Sequence, residues 1–305
     1  MARPLVLLNP GCNYGTGRRR WDKAGTGLRG RIGDFDLVEF GRRDIVKEVV
    51  ARGLDSGARF LIAAGGDGTV NVILNALLEL GRAGEITLGA VGLGSSNDFH
   101  KPFRKGDYAG GCSLRVSPDR VRPVDVIRIE LPSGVRYCLL NASIGVTAEA
   151  NDYFNSRSGF IRALQWASVD AAVNAAALRT LLWFRNIPLR IKVDDADDSE
   201  FEVSNMGVIK RPNFAGSLCY DTPIAPDDGR LGVNVAYGLS VFGRIGTFAA
   251  VSRGRFSGRP GTRAGYATRV EVSGPRDFAV EFDGEVIRTD RVLFTLVPKG
   301  IKVCL

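Results

Sequence analysis

"FLIAAGGDGTVNVILNALL", residues 60–78, decides how the first half of the chain folds. Phe60-Leu61-Ile62-Ala63-Ala64 is short, uncharged and apolar, the composition of a strand covered on both faces. Beyond the glycines, Val70, Ile73, Leu74, Leu77 and Leu78 fall at i, i+3, i+4, i+7 and i+8, the apolar stripe of a helix. Gly65, Gly66 and Gly68 strip side chains from the backbone between them, so the segment reads strand, tight turn, helix. Such a turn aims backbone N–H groups and a helix N-terminus at one point, a favourable place for a phosphate. Thr69 is placed to cap the helix and add a hydroxyl donor. Asp67 is the odd member, because a carboxylate repels a phosphate unless a cation lies between them; it points to a magnesium-bridged nucleotide. The plainer alternative is a glycine turn with no ligand. The pattern is neither a Walker loop nor a Rossmann fingerprint.

The same alternation extends outward. Residues 4–8 (PLVLL) read as a strand, 11–30 as a turn and helix, 35–40 as a strand and 44–54 as a helix. Residues 86–91 (ITLGAV) read as another strand, followed by a Gly-Ser-Ser-Asn-Asp turn at 94–98. Strand–helix alternation with glycine turns at strand ends predicts a parallel α/β sheet that binds its ligand at that edge. Ser95, Ser96 and Asn97 are good capping residues and Asp98 suits a helix's first turn, so capping alone would explain that loop. From about residue 122 the rhythm changes. VDVIRIEL (124–131) and RLGVNVAY (230–237) alternate as half-exposed strands do, and further short strands follow between Gly, Pro and Asp turns. That spacing predicts an antiparallel sandwich or barrel. Helical stretches are expected at 158–184 and about 240–252, and DDADDSE (194–200) as an exposed loop.

Composition narrows the function. The chain has 305 residues, 45% of them hydrophobic, and a net charge of +8, which suits an anionic partner: nucleic acid, an anionic membrane surface or a phosphorylated ligand. No zinc-finger or RNP-type signature is present, so nucleic acid is not expected. The five cysteines are scattered without a C-x-x-C pair, which fits free thiols in a reducing compartment. The apolar run at the N-terminus is too short for a signal sequence, and the apolar stretch 163–184 is broken by Asp170, Asn174 and Arg179. A cytoplasmic protein is expected. The single histidine, His100, has Lys101 and Arg104 as neighbours, which suggests a surface position and leaves little room for a catalytic triad or a multi-histidine metal site. FDGEVI (282–287) reads as a hairpin whose Asp-Gly turn carries Glu285, and APDDGRL (225–231) as a turn or a metal-binding carboxylate at Asp227 or Asp228.

Taken in order, Asn9-Pro10, GGDGTVN (65–71), GSSNDF (94–99), VDV (124–126), NASIGVTAE (141–149), APDDGRL (225–231) and DGE (283–285) resemble the diacylglycerol kinase catalytic-domain family. That family of lipid kinases is related in fold to NAD kinases and 6-phosphofructokinases. The resemblance implies an α/β nucleotide-binding domain over 1–122 with a parallel sheet of the NAD kinase/6-phosphofructokinase kind. It implies an antiparallel β-sandwich substrate domain over 123–296, with a segment at about 297–305 returning to the first domain and lipid entering the cleft between them. ATP would be held by Asn9, Gly65, Gly66, Asp67, Gly68, Thr69, Asn71, Ser95, Ser96 and Asn97. Asp67, Asp98 and Asp125 would organise magnesium, Asp228 would match a structural metal site, and Glu285 would be the general base, with Asp67 and Asp98 counted in the catalytic set. Departures from the family pattern are Ser95-Ser96 for Thr-Gly, Val72 for Glu, and Phe40-Gly41 where a threonine is usual.

The expected activity is ATP- and magnesium-dependent phosphorylation of a primary hydroxyl on a membrane lipid, with diacylglycerol as the default acceptor. Ceramide or a sphingoid base and phosphatidylglycerol come next, then a soluble alcohol or NAD, then an inactive nucleotide-binding protein. The basic surface and a helix running from Trp166 to Trp183 suit transient docking on anionic bilayers, and a homodimer is compatible with the sequence.

Overall fold

Three apolar runs of the first hundred residues, at 5–8, 60–65 and 87–92, become neighbouring strands buried on both faces, and the more polar run at 36–39 forms an exposed edge beside them. The computed structural model describes residues 3–156, 161, 164, 169–196 and 198–305. The chain forms two compact units, Met1–Val126 with Val297–Leu305, and Ile127–Leu296. In the first unit the elements are β1 (Leu5–Leu8), α1 (Gly17–Ile32), β2 (Asp36–Glu39), α2 (Val46–Asp55), β3 (Phe60–Gly65), α3 (Asp67–Glu79), β4 (Thr87–Gly92) and β5 (Cys112–Arg115). The parallel strands lie in the order β2-β1-β3-β4, with Leu8 opposite both Glu39 and Ala64, and Gly65 opposite Gly92. On the other side of β4, Lys302 and Val303 pair in parallel with Thr87 and Leu88, while β5 pairs antiparallel with Ala90–Gly92.

This strand order positions the site. The chain leaves β1 for β2 on one side and comes back to β3 on the other. The crevice at the C-terminal ends of β1 and β3 is therefore a topological switch point, where open α/β sheets bind ligands. Asn9 and Gly65 stand at those two ends. Val6, Leu8, Ile62, Ala64 and Val91 pack with Trp21, Ala24 and Leu28 of α1 in a single core. Each fully buried Leu or Ile adds roughly 1.5–3 kcal/mol.

The turn and helix expected over 11–30 are both present. Asn13 and Tyr14 sit at φ 50° and 56°, a left-handed turn, and the regular helix begins at Gly17. A Cβ on Gly17 would lie 2.6 Å from Cys12 Sγ and 2.8 Å from the Asn9 carbonyl, so the tight approach after β1 requires glycine there.

The second unit is antiparallel. β6 (Val121–Leu131) leads into it and is followed by β7 (Gly134–Cys138), β8 (Asn141–Gly145), α4 (Val146–Asn155), α5 (Val169–Trp183), β9 (Ile187–Val193) and β10 (Ser199–Ile209). After them come β11 (Leu231–Tyr237), α6 (Val241–Val251), β12 (Thr262–Ala267), β13 (Arg269–Phe282) and β14 (Glu285–Cys304). Strand order is β12-β11-β10-β9-β13-β14, with β8 also pairing to β10 and β13. Both β10 and β13 carry a register shift, at Val203/Asn205 and Ser273/Phe278, and pair with β9 on one side of it and β8 on the other. Long strands that change partners at irregularities are how a sheet turns a sandwich corner.

β11 departs from its half-exposed reading. Six of its seven residues are buried. Leu231, Val233 and Val235 enter the main sandwich core, and Ala236 joins a second cluster with Phe214, Tyr220 and Phe256. Asn234, fully buried, accepts the Thr222 hydroxyl at 2.5 Å, so the alternation marked a hydrogen-bonded polar residue inside the fold rather than a wet face. The charge run from Asp194 forms the turn between β9 and β10, apart from Asp197, which lies outside the described residues. Trp166 and most of residues 158–168 also lie outside them, while the rest of the helix expected over 158–184 is α5. Among the described residues no helix is long and apolar enough to cross a membrane.

Candidate active site

Three loops of the first unit meet at the switch point. The Asn9 N–H donates to the Ala64 carbonyl at 2.9 Å, and its side-chain amide donates to Thr69 Oγ1 at 3.1 Å. Thr69 was expected to cap α3. Instead Gly66 holds the cap position without a side-chain bond, and the buried Thr69 hydroxyl is taken by Asn9. The reason is space: a Cβ on Gly65 would lie 2.2 Å from Thr69 Oγ1, so the hydroxyl folds back over Gly65. The 65–69 and 94–98 loops touch directly, since a Cβ on Gly94 would come within 2.6 Å of Gly66 Cα.

Asp67 ties the same two loops together. Its carboxylate accepts the N–H groups of Asp98 and Phe99 at 3.0 and 2.9 Å, capping the short turn Asp98–His100. Burial, and then the neighbouring Asp98 charge, push its carboxyl up to about 6. Asp98 is buried and accepts the Lys101 ammonium at 2.6 Å. Asn97, at φ 48°, closes its own loop: its amide accepts from the Gly94 N–H at 3.0 Å and donates to the Gly94 carbonyl at 2.9 Å. Arg20 of α1 reaches the same Gly94 carbonyl at 3.1 Å. Ser95 is exposed and Ser96, Gly66 and Gly68 are part-exposed, so hydroxyl and backbone donors stay accessible at this edge. Asn71 points inward on α3, buried, and accepts from Asn75.

The proposed magnesium ligands do not all converge. Asp125 is buried and accepts the Lys299 N–H at 3.0 Å, fixing the returning C-terminal segment. Among the described residues no three His, Cys, Asp or Glu side chains form a group that could hold a metal. Asp67 and Asp98 alone still fit magnesium, which commonly takes one or two carboxylates and completes its shell with phosphate and water. The crowding that raises Asp67 is what a cation between the two acids would relieve.

His100 corrects the surface reading. It is 3% exposed, stacked edge-on against Phe99, and held near a pKa of about 3 by burial and the charge of Arg115. Phe40, at the position where a threonine is usual, is buried in the core.

In the second unit, Glu285 sits at the foot of the β13–β14 hairpin, opposite Phe282. Asp283 and Gly284 form the tip, both at positive φ (45° and 92°), as a two-residue Asp-Gly hairpin turn requires. Two neighbouring acids are saturated. Asp283 is buried and accepts the N–H groups of Leu139, Leu140 and Asn141 at 2.9–3.3 Å. Glu281 accepts the Gly284 N–H at 2.9 Å and the Ser143 hydroxyl at 2.8 Å. Glu285 is part-exposed, and no hydrogen bond or ion pair is formed by its side chain among the described residues. The supporting roles of Asp283, Glu281 and Ser143 escaped the sequence reading, although Asp283 in a left-handed turn position was a usable signal.

Asp228, expected at a structural metal site, instead accepts the Lys210 ammonium at 2.7 Å. Elsewhere in the second unit lies a cavity of ≈ 50 Å³ lined mainly by Leu181, Phe214, Leu218, Tyr220, Phe248 and Phe256. The helices next to it expose Trp183 at 71% and Phe242 at 86%.

Comparison with known proteins matches both units. Residues 3–129 fit the family described as the diacylglycerol kinase catalytic domain, and residues 141–305 the YegS C-terminal NAD kinase beta sandwich-like domain. A probable lipid kinase, YegS-like, of Xanthomonas oryzae pv. oryzae is 26% identical over 267 residues, covering 83% of this chain and 81% of that protein. A second YegS-like protein, from Alcanivorax borkumensis, is 40% identical over 81 residues, 26% of each chain. Among solved structures, a diacylglycerol kinase from Bacillus anthracis superposes with a TM-score of 0.70 at 18% identity, covering 99% of this chain and 96% of the other. With switch-point loops on one unit, an acid-bearing hairpin on the other and a family match across both, the chain belongs to the diacylglycerol kinase catalytic-domain family and is an ATP-dependent lipid kinase.

Proposed function

We propose that this kinase transfers the γ-phosphoryl group of magnesium–ATP to the primary hydroxyl of diacylglycerol at an anionic membrane surface, with Glu285 as general base. The observation that carries the chemistry is the contrast at the 281–285 hairpin. Glu281 and Asp283 are committed to backbone and hydroxyl donors, while Glu285, without a hydrogen bond or ion pair among the described residues, can accept a proton from a bound alcohol. In the first unit, Asn9, the backbone of Gly65–Thr69, and Ser95 and Ser96 offer donors for the phosphates at the N-terminus of α3. Bound magnesium would neutralise phosphate charge, and Asp67 and Asp98 are the residues that would hold it.

Support for a lipid acceptor beyond the family comes from Trp183 and Phe242, which are exposed on neighbouring helices. Aromatic residues of this kind anchor at a bilayer interface, and the net charge of +8 favours anionic lipid. The name of the Bacillus anthracis structural neighbour favours diacylglycerol as the first acceptor to try. The test is a panel of diacylglycerol, ceramide, a sphingoid base, phosphatidylglycerol and NAD with radiolabelled ATP and magnesium, the lipids in mixed micelles. Diacylglycerol should be labelled fastest. Faster labelling of another lipid would replace the acceptor, and labelling of NAD alone, or of nothing, would overturn the reading.

A further inference from the structure

The resemblance assigns a structural metal ion to the Asp228 loop, but another cation holds that position. Lys210 follows β10 directly and is wholly shielded from solvent. Its ammonium donates to Asp228 Oδ1 at 2.7 Å and to the Arg230 carbonyl at 2.8 Å. The carboxylate also accepts the backbone N–H groups of Ala225 and Arg230, at 3.1 and 3.2 Å, and the half-exposed Arg230 guanidinium at 3.4 Å, so the loop 225–230 wraps around the Lys210–Asp228 pair. Burial pushes the Asp228 carboxyl up, but the Lys210 hydrogen bond and these N–H groups more than reverse it and hold it below the usual range. Buried ammonium groups are costly to desolvate and persist where several oxygens surround them. A carboxylate oxygen and a backbone carbonyl are also the hard oxygen donors that magnesium or calcium would use, at about 2.0–2.6 Å. A divalent ion and a buried ammonium cannot share those two oxygens without strong repulsion.

The loop lies in a wider network. The Lys210 N–H donates to the Leu140 carbonyl at 2.8 Å, and the Leu140 N–H donates to Asp283. Ahead of the loop, Tyr220 stacks on Phe214 at 4.6 Å and forms part of the cavity wall. The residue whose ammonium sits on Asp228 is therefore linked, through Leu140, to the hairpin that carries Glu285.

We infer that the Lys210 ammonium is the resident cation of the Asp228 loop, so that this unit folds without a divalent ion and the protein's magnesium demand is confined to the nucleotide. The last clause rests on the magnesium–ATP reading above; the first does not.

Thermal unfolding of the nucleotide-free full chain tests it with excess EDTA, magnesium or manganese. The melting temperature of the unaltered protein should be the same in all three. Lys210→Ala should melt lower in EDTA and recover with magnesium or manganese, and the recovery should vanish when Asp228→Asn is added. Stability of the unaltered protein that falls in EDTA, with the fall removed by Asp228→Asn, would overturn the inference. So would a Lys210→Ala protein as stable as the original, or one that divalent ions leave equally unstable. Should that variant fail to fold, manganese binding to the unaltered chain and to Asp228→Asn decides. Equal numbers of bound ions support the resident ammonium, and one fewer in Asp228→Asn refutes it. No lipid or nucleotide is present, so a failed kinase assay leaves the result intact.

Discussion

Asp67 in the first unit and Asp283 in the second do the same physical work in different surroundings. Each carboxylate gathers backbone N–H groups from a distant segment, Asp98 and Phe99 for Asp67, and Leu139–Asn141 for Asp283. They differ in their neighbours. Asp67 lies against Asp98, whose charge helps raise it to about 6, whereas Asp283 stands two residues before Glu285, an acid whose side chain forms no hydrogen bond or ion pair among the described residues. A crowded acid pair attracts a cation. In the proposed reaction Asp67 and Asp98 would hold magnesium and Glu285 would take the proton of the alcohol.

Four substitutions sharpen or break this contrast. The largest effect is expected from Glu285→Gln, which should lower kcat by roughly 10²–10⁴-fold while melting temperature and ATP affinity hold. A variant within a few-fold of the original would take the base role from Glu285. Asp283→Ala should come next. Stranding three backbone N–H groups costs about 1–3 kcal/mol, read by thermal unfolding, with turnover falling as the hairpin loosens. Unchanged stability would mean that the clamp is unimportant. Phe242→Ser should weaken binding to anionic vesicles by roughly tenfold, as partial burial of a phenyl ring predicts, without altering stability because the ring is exposed. Equal flotation of variant and original would separate that ring from the membrane.

The smallest effect is a pH dependence. The Asp67 carboxyl has a usual value of 3.8 and sits at about 6 in the folded protein, so folding favours its protonated form. The stability this contributes is complete below about pH 4 and is lost as pH rises through 6. In metal-free buffer, the melting temperature of the unaltered protein relative to Asp67→Asn should fall across that window. A difference that does not change with pH would show that Asp67 is not crowded as described.

Much of this was legible in the sequence, for identifiable reasons. Residues 60–78 disclosed strand, turn and helix because burial periodicity is local, and the Asp283-Gly284 hairpin was legible because turn chemistry is local. What escaped depended on partners far along the chain. Thr69 looked like a cap, but its hydroxyl is used by Asn9, sixty positions away. His100 looked exposed beside Lys101 and Arg104, but β4 and Phe99 cover its ring, with a Cβ on Gly92 only 3.2 Å from it. Lys210 gave no signal at all, because nothing local shows that a lysine after a strand will meet an aspartate eighteen residues on.

The claim on which the rest depends is that the ends of β1, β3 and β4 hold the nucleotide. Amide hydrogen exchange of the full chain, with and without magnesium–ATP, tests it most directly. Protection should appear in peptides covering Asn9, Gly65–Thr69 and Ser95–Asp98. Unchanged exchange there at saturating nucleotide, with protection elsewhere in the chain, would contradict it.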